Sequence, residues 1–587
     1  MSRNREVEGP AFPRRSLLTW GAGAGAAASL GGCDDSGAAA EGGAGQGAAA
    51  LQGADARVVE TSIVDLQEAM SAGRLSSEEL VGHYLDRIRR LDRDGPTINA
   101  VLELNPDARS IAASLDRERR QHGARGPLHG IPVLLKGNID TGDRMSTTAG
   151  SLALLGAPAS RDATVAARLR AAGAVILGKT NLSEFANFRS IHSTSGWSGH
   201  GGQTRNPYVI DRNPSGSSSG SGASVAASFC AAGLGTETDG SIVSPASLNG
   251  VVGIKPTVGL TSRAGVVPIS HNQDTVGPHG RTVADAAALL GALTGVDPRD
   301  PATAASAGKS FADYTQFLSP DGLRGARIGV ARRTFTGYSD ATDRVFEENI
   351  AALRDAGAIV VDPADIPTAD TLTTDPSETT VLVFDFKRDL NAYLATRTGI
   401  PARTLSDVIA FNRANADKEM PFFLQELLEM AEADETSEAD YLAALARCRQ
   451  LGGADGIDAV MDQFDLDALV APTSSPAWPT DLVNGDHFLG GSSSPAAIAG
   501  YPIVQVPAGF AFGLPLGLSF FGRAFSEPTL IRLASGFEHA TRARRAPTFE
   551  PSVPFDPRAA ASASPRASLA RLLGAQSSPP RRRPLGF

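Results

Sequence analysis

The chain has 587 residues, 42% hydrophobic and 20% charged, a composition that supports a sizeable buried core and excludes collagen-like and repeat classes. Its formal net charge is −10, yet residues 1–33 carry +2 and residues 557–587 carry +6, so the body between them holds −18 and offers nucleic acid no basic surface. The three cysteines, Cys33, Cys230 and Cys448, form no Cys-x-x-Cys pair and lie near no His at ligand spacing, which argues against structural zinc.

At the N-terminus, Arg14 and Arg15 precede an apolar, Ala/Gly-rich stretch over residues 20–30. This is the charged start and short apolar core of an export signal with a twin-arginine pair, and it is too short to span a bilayer. The stretch ends in Leu30-Gly31-Gly32-Cys33, which resembles the lipobox of bacterial lipoproteins. The resemblance implies an export signal over 1–33, lipidation of Cys33 and anchoring on the outer side of the cytoplasmic membrane; a cleaved signal with release to the periplasm or medium is the alternative. Residues 34–57 have too little apolar bulk to offset ordering entropy and read as a flexible Gly/Ala linker. With Cys33 modified, Cys230 and Cys448 remain, either as buried thiols or as a pair.

The folded body is expected over residues 58–550. Leu80, Tyr84, Ile88 and Leu91 recur at helical spacing after Ser76, with Glu79 three residues on, so a capping box opens an amphipathic helix there. Residues 131–135 form an apolar run that delivers Lys136 at the end of a buried strand, and residues 163–172 read as a helix stopped by Gly173, followed by a strand at 174–177. Further strands are expected at 251–254, 327–330, 358–361, 468–471, 503–506 and 516–521, with a mostly helical segment over 384–450 that caps a site. Alternating helices and strands predict an α/β fold. Past Pro551 the Pro/Arg/Ala/Ser sequence reads as a disordered tail; Arg581, Arg582 and Arg583 are a solvated run or a contact for anionic surfaces.

The densest chemical signal is the Ser/Gly block at 214–222, followed by Gly235-Thr236-Glu237-Thr238-Asp239-Gly240-Ser241-Ile242. A Gly/Ser linker is disfavoured by the alanine-rich helical run and strand-forming sequence after it. A phosphate loop lacks its Lys-Ser/Thr. A nucleophile elbow fits Gly216-Ser217-Ser218-Ser219-Gly220 as a pattern, but residues 206–214 are polar and proline-bounded where an apolar strand is needed, and His487 and His539 stand in undistinguished surroundings.

These two blocks resemble the amidase signature, as does Val252-Gly253-Ile254-Lys255-Pro256-Thr257; Gly130-Ile131-Pro132 through Lys136-Gly137-Asn138 is similar to the family's lysine strand. The resemblance runs over about residues 62–549. It implies a single large domain, a mixed central β-sheet covered by helices on both faces. Trp197-Ser198-Gly199, Glu237 to Ser241, Ser270-His271-Asn272-Gln273-Asp274-Thr275, Phe384-Asp385-Phe386-Lys387 and Ala410-Phe411-Asn412 are similar to bacterial peptide amidases, which hydrolyse peptide C-terminal amides.

By this resemblance Ser241 is the nucleophile, Ser217 carries its proton across a cis Gly216–Ser217 peptide, and Lys136 is the base. The backbone N–H groups of Thr238, Asp239, Gly240 and Ser241 form the oxyanion hole; Ser218 supports the loop. Lys136 is a base only when neutral, and an apolar strand supplies the burial that lowers its pKa. The reaction implied is carboxamide hydrolysis to carboxylate and ammonia through an acyl-enzyme, acting on peptide amides or small aryl or aliphatic amides. The other readings are a binding protein without chemistry and an amidotransferase subunit. No metal or organic cofactor and no nucleic-acid partner is implied. Gly137 departs from the family's usual aspartate, which puts the hydrogen bonding of Asn138 and Asp140 in question.

Overall fold

The computed structural model describes residues 57–553. The export signal, Cys33, the linker and the tail past Val553 lie outside the described residues. Among the described residues there are thirteen strands: β1 (Val101–Leu104), β2 (Pro132–Lys136), β3 (Val175–Thr180), β4 (Trp197–Ser198), β5 (Gly202–Gln203), β6 (Ala232–Glu237), β7 (Val252–Lys255), β8 (Thr275–Gly280), β9 (Arg327–Val330), β10 (Ile359–Val361), β11 (Ala468–Pro472), β12 (Ile503–Ala511) and β13 (Leu514–Phe521). Eleven form one sheet in the order β1-β3-β2-β6-β8-β7-β12-β13-β11-β9-β10; β4 and β5 make a separate ribbon. The sheet is mixed: β3-β2-β6 and β11-β9-β10 run parallel, and the remaining neighbours are antiparallel.

Strand alternation explains why helices cover both faces. On β12 and β13, Val504, Val506 and Phe520 enter one core with Leu353, Leu533 and Phe537 from helices Asp340–Asp355 and Glu527–Thr541. Their neighbours Ile503 and Phe521 enter a second core with Val460, Met461 and Ala496 from helices Asp458–Phe464 and Ser494–Ala499. The sheet is therefore hydrophobic on both sides, and its apolar runs could be read from sequence.

The expected capping box is formed: Ser76 Oγ accepts from Glu79 N–H (3.2 Å) and Glu79 Oε2 accepts from Ser76 N–H (2.8 Å), opening the helix Ser77–Arg87. The segment expected to be helical contains Ser377–Ala395, Leu405–Ala414, Ala416–Glu419, Glu426–Glu432 and Glu438–Arg449. Cys230 and Cys448 are buried free thiols and not a pair.

Candidate active site

Because β2 and β6 are parallel neighbours, with Leu135 beside Leu234, their C-terminal ends finish at the same edge of the sheet. Lys136 closes β2, and Thr236 and Glu237 close β6. The Ser/Gly block crosses this edge as a loop and continues into the helix Ser219–Ala226. After β6 the chain turns through Thr238–Ser241 into the helix Val243–Leu248. Sheet topology thus collects residues that lie a hundred positions apart.

The side chain of Lys136 has no solvent exposure. Its Nζ lies 2.8 Å from Ser217 Oγ, 2.9 Å from Thr236 Oγ1 and 3.1 Å from the Thr236 carbonyl oxygen. A neutral amine has two protons and one lone pair, so it donates to both Thr236 oxygens and accepts from Ser217; an ammonium donates to all three. Both protonation states are accommodated, and they differ in the direction of the Ser217 hydroxyl. Burial lowers the Lys136 pKa to about 7, against the opposing pull of the Asp274 and Glu237 charges. Near neutrality about half the amines are uncharged, against about one in 2,500 for a free lysine. Asn138 Nδ2 donates to Thr236 Oγ1 at 3.0 Å and fixes that hydroxyl.

The Gly216–Ser217 peptide is cis. Ser218 N–H donates to the Ser241 carbonyl at 3.1 Å, which joins the two signature blocks directly. Ser218 Oγ bonds the backbone of Thr236 on both sides, donating to its carbonyl (3.0 Å) and accepting from its N–H (3.2 Å). Ser241 is 4% exposed. Among the described residues no hydrogen bond joins the Ser217 and Ser241 side chains. Such contacts tighten when substrate fills the site.

The four N–H groups of the expected oxyanion hole stand in two different settings. The N–H groups of Thr238, Asp239 and Ser241 have no hydrogen-bond partner among the described residues, but that of Gly240 is committed to Glu237 Oε1 at 3.0 Å. In this structure Gly240 is also the pivot of the loop. Its φ of +76° is left-handed, and a Cβ there would come within 3.0 Å of Ser493 Oγ. Glu237 Oε2 also accepts from Ile242 N–H (2.6 Å) and Val243 N–H (2.9 Å), so one carboxylate holds the loop on both sides of Ser241. Burial raises the Glu237 pKa, countered first by the Lys255 charge. Asp239 accepts from Ser493 Oγ, and from Ser494 Oγ at 2.7 Å, anchoring the loop to the helix Ser494–Ala499.

Sequence reasoning did not single out Thr236, Glu237 or Asp274 for a role of their own, although all three lie in the quoted motifs. Asp274 accepts from Thr238 Oγ1 at 2.6 Å and from the N–H groups of Ile269 and Ser270 at 2.8 and 3.0 Å. The elbow reading fails: no strand leads directly into Ser218, since residues 213–218 are loop, and His487 and His539 are exposed. The Gly137 departure has a packing cause, because a Cβ there would lie 2.9 Å from Leu102 Cδ1 and 3.1 Å from the Thr180 carbonyl. Asn138 keeps its bond to Thr236, and Asp140 accepts from the Tyr393 hydroxyl at 2.8 Å.

The amidase family model matches residues 79–531. A probable amidase of Arabidopsis thaliana is 46% identical over 499 residues, 84% of this chain and 92% of that protein. The solved structure of native peptide amidase from Stenotrophomonas maltophilia is 52% identical, with a TM-score of 0.79 over 84% of this chain and 99% of that one. A glutamyl-tRNA(Gln) amidotransferase subunit from Chloroflexus aurantiacus is 37% identical over 491 residues, 82% of this chain and 96% of that protein.

Proposed function

We propose, from the premise that this chain belongs to the amidase family, that it hydrolyses the C-terminal amides of peptides, with Ser241 as nucleophile, Ser217 as proton carrier and Lys136 as base. The observation that carries the mechanism is a fully buried amine 2.8 Å from a serine hydroxyl, at the sheet edge where the Ser241 loop begins. In the first step Ser241 Oγ bonds to the amide carbon, its proton passes to Ser217, and the Ser217 proton passes to Lys136 Nζ. The oxyanion accepts from the N–H groups of Thr238, Asp239 and Ser241. As the C–N bond breaks, the proton returns through Ser217 to the leaving nitrogen, and ammonia departs from an acyl-enzyme. Water then adds by the same relay and releases the carboxylate. The 52% identity to a peptide amidase, against 37% to the amidotransferase protein, supports peptide amides as the substrate class.

The test is ammonia release from a panel of peptide amides, aryl amides and aliphatic amides, run with Ser241→Ala and Lys136→Ala. Peptide amides are expected to turn over fastest, and both variants to fold yet lose nearly all activity. Full activity in Lys136→Ala defeats the relay; a clear preference for aryl amides defeats the substrate assignment.

Arg14-Arg15, the short apolar stretch and Leu30-Gly31-Gly32-Cys33 further support export and lipid anchoring through Cys33. Fractionation of cells making the wild type and Cys33→Ser checks this. The wild type is expected in the membrane fraction and the variant outside it; identical fractionation argues against the anchor.

A further inference from the structure

Two segments outside the relay meet beside a cavity of about 570 Å³ that His271, Asp274, Asp389 and Arg397 help to line. One is the loop before β8, which carries His271. The other is the helix Ser377–Ala395, where Asp385 and Asp389 stand one turn apart and share a face. A donor atom of His271, Asp385 and Asp389 can be chosen so that all three lie within 4.8 Å of one another. His271 Nδ1 is 2.9 Å from Asp389 Oδ2 and 3.7 Å from Asp385 Oδ1.

The telling group is Asp385. Its side chain is 1% exposed, and Oδ2 is satisfied by Ser270 Oγ (2.6 Å) and Asn272 Nδ2 (2.9 Å). Oδ1 is buried, accepts no hydrogen bond among the described residues, and lies 3.7 Å from His271 Nδ1. A buried carboxylate oxygen without a donor is costly and calls for a cation. The nearby Arg263 does not supply one, since it is spent on Asp300 through bonds of 2.8 and 2.6 Å and on the His271 carbonyl, and the His271 ring is turned to Asp389, with Nδ1 2.9 Å from Oδ2 and 3.7 Å from Asp385 Oδ1.

We propose that His271, Asp385 and Asp389 form a binding site for a divalent transition-metal ion of the zinc or manganese type, reached from the adjoining cavity. One imidazole nitrogen and two carboxylates are a donor set for such ions, and bonds of about 2.0–2.2 Å hold donors about 3–4 Å apart, close to the spacings seen from His271. Two carboxylates and a neutral imidazole leave two negative charges for a doubly charged ion to balance. The ion ties the helix to the loop whose Asp274 grips Thr238, and so stiffens the wall behind the oxyanion loop.

No local pattern in the sequence foretells this site, because His271 lies more than a hundred residues from the two aspartates. The experiment is metal analysis of the full chain, stripped with chelator, incubated with ZnCl2 or MnCl2 and desalted, alongside thermal melting. The expected result is one tightly held ion per chain and a raised melting midpoint, both lost in His271→Ala and in Asp389→Asn. Asp389→Asn keeps the side-chain volume, and its metal-free melting checks that the fold is intact. Absence of bound ion in the wild type, or the same stoichiometry in both variants, overturns the proposal.

Discussion

Glu237→Gln isolates the part of the site that sequence reasoning passed over. The carboxylate accepts three backbone N–H groups, from Gly240 at 3.0 Å, Ile242 at 2.6 Å and Val243 at 2.9 Å. A glutamine has a single acceptor oxygen. Placed where Oε2 was, it keeps Ile242 and Val243 without charge assistance, and its NH2 then faces the Gly240 N–H, donor against donor. Each of the two retained bonds weakens by about 1 kcal/mol and the stranded Gly240 N–H costs about 1–3 kcal/mol, for a total of roughly 3–5 kcal/mol. Expressed as displacement of Ser241 and its oxyanion donors, that corresponds to a loss in kcat of roughly a hundredfold to several thousandfold. The substitution also removes a charge that raises the Lys136 pKa, so the rising limb of the pH profile moves to lower pH. The assay is ammonia release against pH together with denaturant unfolding. A variant with wild-type kcat and wild-type stability refutes the loop-holding role; a limb that moves to higher pH refutes the electrostatic coupling.

Gly240→Ala forces a side chain into the left-handed region and against Ser493, so unfolding measurements should find it less stable by about 1–2 kcal/mol, with a larger fall in kcat than in stability. Ser218→Ala removes the two bonds to Thr236, costing about 1–3 kcal/mol of stability by denaturant titration while retaining more turnover than Ser217→Ala; equal loss in the two variants would give Ser218 a direct part in the chemistry. Gly137→Asp, which restores the family's usual residue, should destabilise by about 1–3 kcal/mol because Leu102 and the Thr180 carbonyl occupy its space; an unchanged melting midpoint would contradict the packing explanation.

The sheet was legible where strands are apolar. Residues 131–135, 327–330 and 503–506 announce themselves because both faces of the sheet are covered. β8 did not stand out, and β6 was read only as strand-forming sequence without bounds. Their sequences, Ala-Gly-Leu-Gly-Thr-Glu and Thr-Val-Gly-Pro-His-Gly, read locally as turn. Their glycines answer to tertiary contacts: a Cβ on Gly233 would press on Val225, and one on Gly277 would strike the Ile254 carbonyl. Within the site, Lys136, Ser217 and Ser241 were found through motif resemblance, and local patterning adds only the buried strand end. The commitment of Gly240 to Glu237 and the placement of Asp274 under Thr238 depend on how the loop closes after β6, which no local periodicity encodes.

The relay runs only if burial leaves Lys136 uncharged often enough to take a proton. The pH dependence of kcat/KM for a peptide amide reports the ionisation of the free enzyme. The expected profile has a limb that rises tenfold per pH unit and levels off near pH 7, the value to which burial lowers Lys136. A profile that stays flat from about pH 5 to 9, or that falls through this range, would contradict it.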